Sequence, residues 1–170
     1  MTALLNAHRK QARRLGSSGP HKLRGRRSYS RKLGIDLASG REEELFKWFL
    51  ACLLFGKPIQ TEIAEQAYRE LIGAGLTSAD AVARAGWDKL VILLDRAHYV
   101  RYDFSTATKL LEVCQELSRR HGTVTKLLFS AHTTSELSRK LQEFKHIGPV
   151  TTRIFLRDIR PFWHGKSVRP

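Results

Sequence analysis

A short turn between two predicted helices holds the residues of this sequence that are best placed for chemistry. The apolar pattern predicts that one helix ends at Phe144 and that the next begins at Pro149, a residue that suits a first helical turn. The first backbone N–H groups of such a helix have no partner inside it. Gly148 has no side chain to shield them, so a phosphate oxygen can approach closely. The turn therefore predicts a phosphate site.

The side chains around this turn fit the same chemistry. Ile147 is expected to lie under the turn and to hold the two helices together. Positively charged side chains can surround a bound phosphate, and contacts of this kind hold a nucleic-acid backbone without reading base sequence. The candidate contact residues are Lys145, His146, Ile147, Gly148, Pro149, Val150, Thr151 and Arg153.

The positive charge of the chain is concentrated towards its two ends. The formal net charge is +14, and residues 1–33 carry ten basic side chains and no acidic one. Residues 139–170 carry eight basic side chains against two acidic ones, whereas 34–138 hold 12 basic and 14 acidic residues. This distribution indicates a polyanionic partner. Nucleic acid is favoured over a membrane surface, because the basic segments lack interleaved large apolar residues.

Helical periodicity from Ser39 onward predicts the elements that must position the turn. The predicted helices are 42–55, ended by Gly56 and Pro58; 60–72; a short helix capped by Thr77 or Ser78 and running to Ala85; 87–94; 105–120; 123–129; a helix capped by Thr134 or Ser135 and running to Phe144; and 149–159, closed by Pro161. Strand signals are absent, so the sequence predicts an all-α fold. The longest apolar run, 46–55, is too short to span a membrane. Cys52 and Cys114 are expected to be buried, reduced thiols.

Composition divides the chain into three parts. These are a basic N-terminal arm and linker at 1–40, a helical domain at 41–160 and a basic tail at 161–170. Residues 1–33 are rich in arginine, serine and glycine, which predicts mobility without a partner. Three interpretations of the arm stay open: a segment that contacts DNA, a solvated tail without a role, and an organelle transit peptide that lacks a clear amphipathic stripe.

The segment from Leu141 to Leu156 resembles the helix–hairpin–helix of base-excision DNA glycosylases of the endonuclease III-like group. That family's hairpin reads roughly Leu-Pro-Gly-Val-Gly-x-x-Thr-Ala, and residues 144–152 read Phe-Lys-His-Ile-Gly-Pro-Val-Thr-Thr. The order of predicted helices from Leu45 onward also matches, and 98–102 falls where the family has a turn before a long helix. The resemblance covers roughly residues 41–160 and implies a multi-helix, glycosylase-like domain that grips the DNA backbone.

Four departures limit what the resemblance implies about catalysis. His146 replaces the first glycine of the hairpin, which makes the turn less permissive. Val150 stands where members with lyase activity carry the lysine that forms a Schiff base, and a valine cannot do this. The region that corresponds to the family's catalytic aspartate lies near Val168 and has no acidic residue, and the cysteines of the iron–sulfur cluster are missing. The resemblance implies DNA binding more strongly than it implies a reaction.

Two loops ahead of the hairpin add further candidates. The glycosylase family flips a base and fills its place with a wedge side chain. The loop 56–60 occupies the matching region, so Lys57 or Gln60 is a candidate wedge, with a solvated loop as the alternative. The turn 98–102 adds Tyr99, Arg101 and Tyr102. Its tyrosines can stack on a base, and the alternative is a half-buried aromatic pair.

The acidic residues near these segments are expected to have structural roles. Asp158 is the one acid downstream of the hairpin and could activate a water, but between Arg157 and Arg160 it is predicted to be a surface ion-pair partner. Asp95 and His98 lie close together in sequence, and we expect them to cap a helix end.

Functions from different classes stay open at this point. One is a DNA glycosylase-like protein of base-excision repair, monofunctional if it is active; the other is a non-catalytic DNA-binding or lesion-recognition module with the same fold. A third, an RNA- or ribosome-associated protein, is suggested by the basic arm alone. We expect double-stranded DNA as the partner, no membrane, no metal, no cofactor and a monomer. The expected location is the cytoplasm at the nucleoid, with an organelle as the alternative.

Overall fold

Helices form all the regular structure in the part of the chain that the structure, a computed structural model, describes, which is residues 28–163. The elements are α1 (Tyr29–Lys32), a short 3-10 turn (Leu37–Ser39), α2 (Glu42–Phe55), α3 (Thr61–Gly73), α4 (Ala79–Arg96), α5 (Asp103–Arg120), α6 (Val124–Phe129), α7 (Thr134–Gln142) and α8 (Pro149–Trp163). Within 28–163 no helix is long and apolar enough to cross a membrane. The predicted all-α class is confirmed for these residues.

Helix α2 lies at the centre of the fold, because most of its side chains are apolar and buried. It packs against α3, α5, α6 and α8. Trp48 Nε1 donates a hydrogen bond to Phe155 O at 3.2 Å, and the rings of Phe49 and Phe155 meet edge to face with their centroids 6.0 Å apart. Such a ring pair adds about 1 kcal/mol to the burial of its area. These contacts fix α8, and with it the predicted turn, against the core.

Several helix ends follow local signals, among them the cap Ser78 that the sequence predicted. Ser78 Oγ accepts a hydrogen bond from Ala81 N, and Thr123 Oγ1 accepts one from Lys126 N, each at 3.1 Å. Side-chain caps of this kind satisfy N–H groups that the helix leaves unpaired. Gly86 has a φ of 77° inside α4, so this helix consists of two segments that end and begin where the sequence predicted a break. Pro149 begins α8, as predicted.

Several predicted helix ends were wrong, and those of the hairpin helices matter most. The cap of α7 is Thr133, whose Oγ1 accepts from Glu136 N at 3.1 Å, and this helix ends at Gln142 rather than at Phe144. Phe144 instead turns into the core, with its ring centroid 6.4 Å from that of Phe49. Helix α8 continues through Pro161, because Trp163 packs against the core and donates from Nε1 to Leu128 O at 3.1 Å. That packing outweighs the one backbone hydrogen bond that a proline removes.

The packed body begins earlier than the boundary at residue 41 that the composition suggested. Ile35 and Leu37 are buried in the core, and Asp36 N donates to Glu44 Oε2 at 2.8 Å. Residues 28–40 therefore belong to the folded unit, because they carry two apolar side chains into it. The rest of the predicted arm, 1–27, and the predicted tail from 164 to 170 lie outside the described residues.

Candidate functional site

The predicted turn is a helical hairpin, formed by α7, residues 143–148 and α8. Ile147 is buried beneath the turn, as expected. His146 adopts a left-handed backbone with a φ of 75°, a conformation that favours glycine. Gly148 has no left-handed φ, and a Cβ added there would meet nothing within 4 Å. Gly148 therefore contributes by leaving open space beside the turn, and its backbone conformation does not require glycine.

The first turn of α8 presents unpaired N–H groups at this open space. The first backbone hydrogen bond that enters the helix runs from Thr152 N to Gly148 O at 3.1 Å. Pro149 has no N–H, so Val150 and Thr151 carry the donors that lack an acceptor inside the helix. The Val150 side chain is 48% exposed, whereas Thr151 is buried. A negative charge at this end of α8 is favoured by the helix dipole as well.

Two side chains of the turn meet one carboxylate. Lys145 Nζ lies 3.0 Å and His146 Nε2 lies 2.6 Å from Glu112 Oε2, on α5. The hydrogen bond with His146, followed by that with Lys145, holds the pKa of Glu112 below its usual value. No local pattern indicates this contact, because Glu112 lies on a different helix. A carboxylate thus occupies the position beside these two side chains where a phosphate would pair with them.

The loop after α2 lies against the first turn of α8. A Cβ added at Gly56 would collide with Thr151 Oγ1 and would approach Lys109 Nζ to 3.3 Å. Only a glycine permits so close an approach. Gly56 therefore lies against the first turn of α8, and Lys57 is the next residue in the chain. The structure brings together two segments that the sequence placed in the site separately.

An aromatic side chain joins the turn 98–102 to the same region. Lys57 Nζ lies 5.5 Å from the centre of the Tyr102 ring, and the Arg101 guanidinium carbon lies 5.6 Å from it. Both distances are within the range of a cation–π contact. Gln60 is exposed at the start of α3, and Arg153 is exposed on α8. Lys57 and Arg101 therefore both lie against Tyr102, and Gly56, next to Lys57, lies against the first turn of α8.

Tyr99 is buried and is not available to stack on a base. Its side chain is fully buried, and its hydroxyl group donates a hydrogen bond to Leu54 O at 2.8 Å. Burial raises the pKa of Tyr99 to about 12. The ring has no free face for a nucleotide, so Tyr99 supports the site by satisfying one of the last carbonyl groups of α2.

Lys109 is, with Glu112, a residue at this site that the sequence did not indicate. It lies on α5 with 4% of its surface exposed, and its Nζ donates to Leu53 O at 2.9 Å. Burial, together with the nearby charge of Lys57, lowers the pKa of Lys109 to about 8. One signal could have found it: Lys109 falls on the apolar stripe of its helix, next to Leu110 and one turn before Val113. A lysine in such a register is expected inside the protein.

Asp158 is not the surface residue that the sequence suggested. Its side chain is 3% exposed, although its predicted ion pair with Arg157 exists, with 3.0 Å between Nε and Oδ1. Its Oδ2 accepts from Ser28 Oγ at 2.7 Å and from Ser30 N at 2.9 Å. Burial alone would raise the pKa of Asp158, but these hydrogen bonds outweigh burial and lower it. The carboxylate thus anchors the N-terminal part of the body to α8.

The remaining candidates have structural roles or form no cluster. His98 N donates to Asp95 O at 2.9 Å just after α4, in keeping with a helix end. Cys52 and Cys114 are free and buried, and burial raises the pKa of each thiol. Within residues 28–163 no three His, Cys, Asp or Glu side chains are grouped so that they could hold a metal ion.

Comparisons of the chain with protein-family models, with curated proteins and with solved structures find no match. The function must therefore be argued from the residues and contacts described above.

Proposed function

We propose that this chain binds double-stranded DNA by its phosphate backbone, through the hairpin formed by α7, 143–148 and α8. The observation that carries the proposal is the open, unpaired first turn of α8 at Gly148. Lys145 and His146 lie at the turn, where a phosphate would replace Glu112 as their partner, and Lys57 follows Gly56, which lies against Thr151. Backbone N–H groups at a helix N-terminus with adjacent cations are a common phosphate-binding arrangement.

The charge of the whole chain favours a long polyanion over a small anion. The excess positive charge is concentrated in 1–33 and 139–170, and the hairpin lies in the second of these segments. A protein that neutralises several phosphates gains affinity by releasing the counterions of the nucleic acid. The hairpin's resemblance to DNA-repair glycosylases supports duplex DNA as the partner.

The contacts of the nearby carboxylates favour binding without base removal. Hydrolysis of the bond between base and sugar needs a carboxylate that can assist an attacking water. Glu112 is paired with Lys145 and His146, and Asp158 faces Ser28 and Ser30. We therefore propose a non-catalytic, sequence-independent DNA-binding module, with a monofunctional DNA glycosylase as the competing function.

A substitution at Gly148 tests this proposal without straining the fold. Gly148→Asp places a side chain and a negative charge in the space where the phosphate would lie, and that space is empty of protein atoms. Loss of one charge-assisted phosphate contact costs about 2 kcal/mol, so the affinity for a duplex at low salt should fall about 30-fold. Fluorescence anisotropy with a labelled duplex measures this change.

Gly73→Asp is the matched control. Gly73 ends α3, it too has nothing within 4 Å of an added Cβ, and its substitution changes the net charge by the same amount. We expect the control to lose little affinity. Equal losses in the two variants would refute the hairpin as the binding element.

Two further arms of the experiment separate the competing functions. Duplexes that each contain one damaged or mismatched base are incubated with the protein and then tested for abasic sites. We expect binding without base release, and release of any base would establish the glycosylase instead. RNA of the same sequence is offered as a competitor, and tighter binding to RNA than to duplex DNA would refute DNA as the partner.

A further inference from the structure

The outward face of α8 carries positive charge alone. Val150, Arg153, Arg157 and Arg160 follow one another at spacings of three, four and three residues and are all exposed. The opposite face is buried and includes Phe155 and Ile159. With 3.6 residues per turn, these spacings place the three arginines on one stripe along the helix. We call the three residues Arg153, Arg157 and Arg160 the arginine face.

An ordinary solvated helix of the same protein looks different. The exposed charged residues of α4 are Asp80, Arg84, Asp88, Lys89, Asp95 and Arg96. Both signs are mixed there, which limits repulsion along the helix. The arginine face contains no exposed acid, and the buried Asp158 pairs with Arg157 alone, so an anion that lies against the face would reduce the repulsion among its charges.

The middle residue of the arginine face is held in position by the fold. Arg157 Nε pairs with the buried carboxylate of Asp158, and the guanidinium carbon lies 4.7 Å from the centre of the Tyr29 ring. This pairing uses Nε and leaves the donors of the two terminal nitrogens for a ligand. A guanidinium that is already ordered loses little conformational entropy when it binds. Arg153 and Arg160 have no hydrogen-bond or ion-pair partner among residues 28–163.

We propose that the arginine face binds the phosphates of DNA that flanks the segment held by the hairpin, an inference that rests on the proposed function. The N–H groups of the first turn point along the axis of α8, whereas the arginines point away from its side, so the two contact different stretches of backbone. Val150 and Arg160 are about 15 Å apart along the helix axis. Because each strand of a duplex has a phosphate about every 3.4 Å, this length corresponds to four or five base pairs.

The shape of guanidinium groups favours phosphate as the ligand. The planar fork of an arginine donates two parallel hydrogen bonds to phosphate oxygens, as it does to a carboxylate. The hairpin on the same helix then selects nucleic acid over an acidic protein, because it brings one DNA backbone to the start of the stripe. An acidic protein segment is therefore a competing outcome of the test.

The test compares two double variants on duplexes of two lengths. Arg153→Gln with Arg160→Gln removes the two arginines that have no partner and leaves Arg157, which supports the fold, in place. The control is Arg84→Gln with Arg119→Gln, which removes two exposed arginines from α4 and α5 and gives the same net charge. Affinities are measured against salt for duplexes of about eight and about twenty base pairs, lengths chosen to exclude and to include the flanking phosphates.

On the long duplex, the Arg153→Gln/Arg160→Gln variant should lower the slope of log K against log salt by about 1.8, because each lost phosphate contact contributes about 0.9. On the short duplex it should bind like the control. Gly148→Asp should lose affinity on both lengths, since it acts at the hairpin.

Each outcome decides between the two proposals. If the two double variants match on the long duplex while Gly148→Asp loses affinity, the arginine face does not bind DNA and the proposed function stands. If Gly148→Asp has no effect on either length, the proposed function fails first. If polyglutamate binds the wild type as tightly as the long duplex, and the Arg153→Gln/Arg160→Gln variant loses affinity for polyglutamate alone, the face binds an acidic protein and the inference is wrong.

Discussion

Replacing Lys109 by Met should change how the stability of the protein depends on pH. The amine is buried under Gly56, and its pKa is lowered from 10.5 to about 8, chiefly by burial. Between these two pH values the unfolded chain keeps a proton that the folded chain has lost, so the free energy of unfolding rises with pH. At about 1.4 kcal/mol per pH unit, this contribution amounts to about 3 kcal/mol. It is complete above pH 10.5 and absent below pH 8.

The assay is denaturant unfolding of the wild type and of Lys109→Met at several pH values from 7 to 10.5, the range over which Lys109 titrates. Four other buried groups lower the free energy of unfolding as the pH rises, because burial raises the pKa of each. These groups are Cys52, Cys114, Tyr68 and Tyr99. These groups are present in both proteins, so the difference between the two curves isolates Lys109. The stability of the wild type relative to the variant should increase by about 3 kcal/mol across this range.

The exposed residue Lys89 provides the control, since Lys89→Met removes an amine that lies in solvent. Its curve should run parallel to that of the wild type. Parallel curves for Lys109→Met as well would refute the reasoning, since they would mean that the amine is equally solvated in the folded and unfolded chains.

Three further predictions concern the hairpin and its support. Glu112→Gln removes the carboxylate beside Lys145 and His146, so duplex affinity at low salt should increase and the salt slope should steepen by about 1; weaker binding would show that Glu112 positions these side chains for the ligand instead. His146→Gly should be more stable than His146→Ala by about 1 kcal/mol, because the backbone is left-handed there; equal thermal stability would contradict that conformation. Gly56→Ala should destabilise the fold by about 1–3 kcal/mol through its collision with Thr151 Oγ1, and Thr151→Ala should restore part of the loss; an additive double variant would argue against that contact.

Local signals predicted the helices because their causes are local. Ser78, Thr123 and Gly86 act within a few residues of their own position, through a hydroxyl cap or a backbone conformation. The all-α class followed from periodicity alone. Pro161 shows the limit of local signals. Helix α8 continues through this proline because Trp163 packs against the core and donates to Leu128 O, which belongs to a distant part of the sequence.

The sequence predicted only that part of the candidate site which lies within one continuous segment. The hairpin could be inferred from 144–152 because the phosphate site and its support are adjacent in sequence. The contacts of Lys109 and Glu112 depend on how α5 lies beside α2 and the turn, which no local pattern encodes. The burial of Asp158 likewise depends on Ser28, which lies 130 residues earlier in the chain.

That last contact has a consequence for how the chain folds as it is synthesised. Synthesis proceeds from the N-terminus, so Ser28 and Ser30 leave the ribosome long before Asp158 exists. The same holds for Trp48 of α2, whose acceptor Phe155 O comes 107 residues later. Helix α2, which is largely apolar, is therefore synthesised with part of its surface uncovered until α8 is present. We therefore expect folding during synthesis to depend on chaperones. We also expect chains truncated before Pro149 to aggregate, because α8 covers part of the core.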